Sequence, residues 1–413
     1  MLVWRLSFQL ALAMTPTVRF LPRPLAMALL ALLCSAAVSL PCTALSLQEV
    51  LEATVQRAGS RELPAASVPY EASSWLAGTP SVGLSYLDSD QRYGTDEAEL
   101  WLNLPLKSGR RRRADEALGG LSETLDAQGL ALRQLYFSGL LREVLWAYRL
   151  ADDRRRFAAE KRVVLLELEQ RQRELLAASA SSEYALLLLQ TELVAVQVVQ
   201  QEFLQEARHW LQRYRQLSGL QDMPVDIGEP QAPGGDFAAA QHPRLRALDL
   251  AYDQQRQLLR ASSAGAADWN LSVTAKNLDT AGYDENQFGL GVEIPLSAFE
   301  VGTQSDNAQW RSIRRDYLLA RDELLADLRG TWDALGSEQQ GLREKQRLLE
   351  RSEELAGRIA AQLAQLQASN EIGQEILLRR AMSAIDTRAA AAANRILLER
   401  NNAMLRQAAG LSL

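Results

Sequence analysis

The sequence predicts a mainly α protein that also carries a few β-strands, built from two similar halves. Three observations predict it. Leu, Ala, Glu, Gln and Arg dominate the 413 residues while aromatics are only 6%, a mixture suited to long helices. Apolar residues recur at helical spacing over runs of more than sixty residues. The chain also matches itself at an offset near 190.

The first 44 residues read as a secretory signal. They hold Arg5, Arg19 and Arg23, no acid, and the apolar run "LAMALLALLCSAAVSL". Cys42, Thr43 and Ala44 give an A-x-A-like cleavage site before Leu45, and Met14 offers a second start with a more usual signal length. Lipidation is disfavoured, because Cys34 follows Leu33 and Cys42 follows Pro41. Losing the three arginines takes the formal net charge from −6 to −9 and removes both cysteines. An acidic, exported chain is a poor nucleic-acid binder, and a thiol-free one needs no disulfide. No other run has the length of a transmembrane helix, so any membrane span must be β.

Four pairs of matching segments occur in the same order in each half. "PSVGLSYLDSD" from Pro80 matches "DWNLSVTAKNLD" from Asp268. "AELWLNLPLKSG" matches "FGLGVEIPLSAFEVG", with Pro105 over Pro295. "SASSEYALLLLQ" lies over "NEIGQEILLRRA", and "RQLSGL" over "RQAAGL". The halves are taken as residues 45–227 and 228–413. Each reads helix, strand, strand, long helix, turn, helix.

In the first half, Ser46 and Glu49 form a capping-box pattern that opens a helix. Strands are expected around Ser81–Asp88 and Glu97–Leu106. The helix after Pro105 is expected from about Arg111 to Leu176, with a seam at Leu118, Leu121, Leu125, Leu132 and Leu135. In the second half a helix begins at His242, strands follow around Trp269–Leu278 and Gln287–Leu296, and a long helix runs from about Gln304 to Ala368. Leu378, Met382, Ile385, Ala389, Ala392 and Ile396 mark the last seam. Each long helix would extend about 100 Å. Pro64 and Pro69 are expected to interrupt the first helix. The linker from Asp222 to Gly235 is expected to lie outside the helices as an equatorial band.

The strands alternate. Leu100, Leu102 and Leu104 share one face, as do Phe288, Leu290, Val292 and Ile294, with polar or small residues between them. A sheet between lipid and a polar interior gives this pattern, and so does packing on a soluble core. Segments of 9–11 residues suit tilted membrane strands. Four strands cannot close a barrel, which needs about eight, and open edges are not tolerated in lipid. Several chains must then share one barrel.

The "SLQEVLEA" opening, the "LNLPLKSGRRRRA" and "VEIPLSAFEVG" passages, the paired turns and the duplication itself resemble the TolC family of outer-membrane factors over essentially the whole mature chain. The resemblance implies a homotrimer: twelve strands in one outer-membrane β-barrel, continued by a periplasmic tunnel of long antiparallel coiled-coil helices. It implies passive conduction, a periplasmic adaptor, an inner-membrane transporter of RND, ABC or MFS type, and outer-membrane lipid as partners. No cofactor is implied. Leu100, Leu102, Leu104, Phe288, Leu290, Val292 and Ile294 become the lipid-facing set.

The same resemblance places the adaptor contact or gate at the two hairpin tips: Ser179, Ser181, Ser182 and Glu183, then Asn370, Glu371, Ile372, Gly373, Gln374, Glu375 and Arg379. Arg380 joins the charges available for a gate, although ordinary exposed helix charges fit equally. The family usually has Gly at the first tip position, where this chain has Ser179 and Asn370. Arg110 to Arg113 read either as a solvated helix start or as contacts to anionic headgroups in the periplasmic leaflet. His209 and His242 stand too far apart for a metal pair, and enzyme motifs are lacking. A periplasmic coiled-coil adaptor or scaffold is the alternative, although it would show one hairpin rather than two. The cargo stays open among metal ion, drug and protein.

Overall fold

A computed structural model describes residues 45–59, 73–178, 182–263, 268–295, 303–368 and 374–413. The chain divides into residues 1–45 and Ser46–Leu413, and the second unit holds every element below. The expected signal, the Pro64/Pro69 segment and the "LSAFEVG" stretch lie outside the described residues.

Helix α1 (Leu47–Gly59) opens as the capping box requires. The Glu49 amide donates to Ser46 Oγ at 3.2 Å, and the Ser46 amide donates to the Glu49 carboxylate at 2.7 Å. That backbone bond, followed by one from the Ser46 hydroxyl, lowers the Glu49 pKa from its ordinary value. Strands β1 (Ser81–Leu87) and β2 (Thr95–Leu106) follow, then helix α2 (Gly109–Ala177) and helix α3 (Glu183–Ser218).

The second half repeats the order with α4 (Pro243–Ser262), β3 (Trp269–Thr280), β4 (Tyr283–Glu293), α5 (Gln304–Ala368) and α6 (Gln374–Ala408). The duplication is therefore structural as well as sequential. Its matched "SGL" and "AGL" endings do the same work. Gly219 and Gly410, at φ 78° and 80°, both follow their helices in the left-handed conformation that glycine allows.

Helix α2 has 69 residues and α5 has 65, about 100 Å each at 1.5 Å per residue. The chain enters α2 at the expected place: Ser108 is the N-cap, its hydroxyl accepting from the Arg111 amide at 3.4 Å. Leu118, Leu121, Leu125, Leu132 and Leu135 all face inward on α2, Leu135 fully. Each long helix pairs with the helix after it, and α2 also packs on α4 and α6. One core gathers Leu165 of α2, Leu189 and Val196 of α3, and Met382 and Ile385 of α6; a second gathers Trp146, Ile396 and Ala403.

The α6 seam departs from its expected rhythm. Ala389 and Ala392 are only half-buried, whereas Ala391, Asn394, Asn401 and Ala403 are buried. The cause is a polar ladder. Asn394 donates to the Leu342 carbonyl and Gln346 Oε1, both at 3.0 Å. Asn401 repeats this one heptad later with the Leu335 carbonyl at 2.9 Å and Gln339 Oε1 at 2.7 Å.

The four strands make one antiparallel sheet in the order β1-β2-β3-β4. The second hairpin is tighter than expected. Strand β4 begins at Tyr283 rather than Gln287, because Ala281 and Gly282, both at positive φ, close a two-residue turn. It also ends at Glu293, so Ile294 lies one residue past the strand.

Candidate functional site

The register sorts the sheet into two unlike faces. Leu84, Leu100, Ala275 and Phe288 form one cross-strand row; Val82, Leu102, Val273 and Leu290 form the next; Leu104, Leu271 and Val292 form a third. Six of the seven expected lipid-facing residues thus join one continuous apolar face, extended by β1 and β3 residues that single-strand reading left out. Ile294 follows past the end of β4 and is exposed. The opposite face carries Ser81, Asn103, Ser272 and Gly291, then Gly83, Trp101, Thr274 and Gly289, then Ser85, Glu99, Lys276 and Gln287.

No described element of the chain covers the apolar face. Phe288 is 85% exposed, Leu84 76% and Leu290 73%. A soluble protein rarely leaves such a face bare. Among the described residues neither outer strand, β1 nor β4, has a partner along its outer edge, and lipid does not tolerate open edges. On the polar face Lys276 pairs with Glu97 at 2.5 Å, and the Trp101 indole lies over Gly83, filling the space a side chain there would need.

The two ends of the sheet differ in charge. Asp96, Asp279 and Asp284 stand side by side at the hairpin ends, and Asp88 follows β1. The helix ends carry arginines. Of the four expected together, Arg111 is taken by an ion pair to Asp268; Arg110, Arg112 and Arg113 are exposed. Lys107 turns inward, bonding the Ser73 carbonyl at 2.6 Å and Asp115 at 2.5 Å.

At the far end of the helices, Ser182 is the N-cap of α3, its hydroxyl accepting from the Ala185 amide at 3.3 Å, and Glu183 is exposed in the first turn. Gln374 and Glu375 open α6. Ser179, Ser181, Asn370, Glu371, Ile372 and Gly373 lie outside the described residues. Arg379 and Arg380 are exposed. Arg379 lines a groove of about 650 Å³ with Lys161, Leu188, Glu192, Met382 and Asp386, above which Lys161 bonds Asp386 at 3.0 Å and Arg388 bonds Glu160 at 2.6 Å. Two exposed apolar stripes run along the helices. Tyr184, Leu187, Thr191, Val194 and Val198 keep a 3-4-3-4 spacing on α3, and Leu348, Ser352, Leu355 and Ile359 a 4-3-4 spacing on α5. This is the seam pattern of helices that expect a further partner.

Between these ends the linker is anchored rather than draped. Tyr214 is fully buried and donates to the Asp222 carbonyl at 2.9 Å; burial raises its pKa, and the Asp222 charge adds to the rise. Glu229 is buried against Arg142 and Arg406, at 2.6 and 3.0 Å. Asn402 accepts the Ala232 amide at 2.8 Å. These residues were not singled out from the sequence. His242 is buried as the N-cap of α4, its Nδ1 accepting the Arg244 amide at 3.2 Å. Burial, with the Arg244 charge adding, lowers its pKa to about 4. His209 is exposed on α3. Among the described residues no cluster of three His, Cys, Asp or Glu residues suits a metal, and no helix is long and apolar enough to cross a membrane.

No family model matches the chain, and no curated protein matches it in sequence. Solved structures do. The outer membrane protein VceC from Vibrio cholerae superposes with a TM-score of 0.60 at 13% identity, over 88% of this chain and 92% of that one. The transmembrane channel protein CusC gives 0.60 at 13% identity, over 81% and 83%. The Campylobacter jejuni CmeC outer membrane channel gives 0.56 at 16% identity, over 80% and 77%. The fold, one long-helix protomer with a four-stranded sheet, is that of TolC-like outer-membrane channels.

Proposed function

Proceeding from a chain with the TolC-like protomer fold, we propose that it is an outer-membrane exit duct for an efflux system. One observation carries the reading: a four-stranded sheet with a bare apolar face and a polar opposite face, its two edges unpaired among the described residues. Lipid supplies an environment for the first face and a water-filled pore for the second. Joining β4 of one copy to β1 of the next removes the edges. Three copies give twelve strands, above the minimum of about eight for a membrane barrel, in a closed cyclic arrangement.

The helices then continue the pore into the periplasm for about 100 Å. The bare stripes on α3 and α5 give neighbouring copies something to pack against. Conduction is passive, and an inner-membrane transporter of RND, ABC or MFS type, linked by a periplasmic adaptor, supplies the energy. In this reading Ser182, Glu183 and Arg379, near the hairpin ends, meet that adaptor or hold the entrance shut.

The test is membrane fractionation of the expressed chain, followed by the native mass of the detergent-extracted species. A trimer from the outer membrane is the expected result. A soluble monomer would overturn the channel reading and make the apolar face a docking surface for some other protein.

A further inference from the structure

We propose that the membrane-side helix ends form an arginine collar that binds the phosphate of anionic phospholipid headgroups; the inference rests on the channel reading. Three elements contribute. Arg112 and Arg113 sit at the start of α2, six and seven residues beyond the last residue of β2. Arg260 lies in the last turn of α4, just before β3. Arg311 lies early in α5.

Helix α4 packs on both α2 and α5, and the ion pair of Arg111 with Asp268, together with the Leu106–Trp269 register, brings the start of α2 beside the step from α4 to β3. Leu258 and Ser262, which flank Arg260, line one groove with Gln309 and Ile313, which flank Arg311. All four arginines are exposed. Among the described residues Arg112 pairs with Glu116 alone, at 4.0 Å, and Arg113 turns its Nε to the Gly109 carbonyl at 3.1 Å. Arg260 and Arg311 have no carboxylate partner among the described residues.

Physical chemistry then favours an anion. The first five residues of α2 are Gly109 and four arginines, with no acid in the first turn, the wrong sign for the positive end of a helix dipole. A phosphate placed there relieves that repulsion and accepts the planar guanidinium fork. The long alkyl stems can lie along the apolar belt while the heads reach the interface. The opposite rim of the sheet is acidic, at Asp96, Asp279 and Asp284, so the collar belongs to the helix side alone.

The experiment uses the full-length, detergent-extracted protein and native mass spectrometry with added phosphatidylglycerol or phosphatidylcholine of matched acyl chains. The wild type should retain phosphatidylglycerol preferentially. The variant R112Q/R113Q/R260Q/R311Q should lose that preference, by about fivefold in affinity for each arginine. Arg347→Gln, far along α5, should leave it unchanged. Should the fourfold variant not assemble, R112Q/R113Q and R260Q/R311Q are read separately. Equal retention of the two lipids by an outer-membrane trimer would overturn the collar alone. Displacement of the bound lipid by millimolar inorganic phosphate would make this a free-anion site and overturn the lipid assignment. Absence of the wild type from the outer membrane would instead sink the channel reading beneath it.

Discussion

Arg142, midway along the longest helix, and Glu229, in the linker between the halves, meet fork to fork with solvent excluded from both. Nε donates to Oε1 at 2.8 Å and Nη2 to Oε2 at 2.6 Å, with side-chain exposures of 0% and 4%. Arg142 also donates to the Leu411 carbonyl at 2.9 Å, and Arg406 donates to the same Glu229 carboxylate. Linker, α2, α6 and the chain's last residues are thus joined at one point.

A buried ion pair is a weak source of net stability, but removing one partner leaves the other charged and dry. Arg142→Met and Glu229→Gln should therefore each lower unfolding free energy by about 3–5 kcal/mol. The double variant R142M/E229Q should cost less than the two single effects together. Denaturant unfolding of the four species, read as a double-mutant cycle, checks this. Additive losses would mean the pair is not coupled.

How much of this was legible in the sequence varies with how local the cause is. Leu100, Leu102 and Leu104 declare their shared face by alternation, and the Lys107-Ser108-Gly109 step places the start of α2 within two residues. The second hairpin was misplaced because Asp279 to Asn286 look like loop residues. They are strand ends with polar rims, and only Ala281 and Gly282 turn. Glu229 and Arg142 gave no signal. They are 87 residues apart, charged, and buried only once α2, α6 and the linker have come together. Asn394 and Asn401 hid inside an apparently apolar heptad run for a related reason: their partners are on another helix.

That Asn pair supports a second expectation. Each amide makes two bonds to α5, and their seven-residue spacing repeats in Gln346 and Gln339. Asn394→Ala should leave Gln346 Oε1 without its donor and remove the second bond to the Leu342 carbonyl, costing about 1–3 kcal/mol. Asn394→Leu in combination with Gln346→Leu should recover most of the loss while relaxing the helix register. Unfolding measurements give the first outcome. Disulfide trapping between α5 and α6 at successive positions reads the second, and trapping confined to one register in the Leu/Leu variant would refute it.

His242 makes stability depend on acidity. Its folded pKa of about 4 lies below the ordinary 6.5, so the unfolded chain takes up the proton first. The folded state has its full stability above about pH 6.5, loses it as the pH falls towards 4, and changes no further on this account below that. The ceiling is about 3 kcal/mol. His242→Asn keeps an N-cap acceptor without a titrating group and should flatten the slope between pH 6.5 and 4. An unchanged slope in that variant would assign the pH dependence to other groups.

The glycines that end α3 and α6 should differ in their tolerance of a side chain although both have positive φ. A Cβ on Gly410 would meet Pro243 Cδ at 2.5 Å and His242 Cδ2 at 3.0 Å, both in rigid rings at the start of α4. A Cβ on Gly219 would meet only the far end of the flexible Arg57 side chain. Both Ala variants carry the left-handed penalty of about 1 kcal/mol. Gly410→Ala should lose more, because α4 must shift. Equal melting temperatures would show that the α6 end and α4 are not in firm contact.

The assignment of faces to the sheet is itself open to a direct contrast. Leu290 sits on the apolar face and Thr274 on the opposite one, on adjacent strands and near mid-height. An arginine in lipid at mid-depth costs about 2–4 kcal/mol in a membrane barrel, whereas one in the water-filled interior costs little. In the proposed trimer that cost applies in all three copies, so Leu290→Arg should abolish trimers in the outer membrane, and Thr274→Arg should preserve them while narrowing the pore. Trimer recovery by native mass of the detergent-extracted membranes, with single-channel conductance of the surviving variant, separates the two. Reversed outcomes, with Leu290→Arg tolerated and Thr274→Arg lost, would turn the sheet inside out.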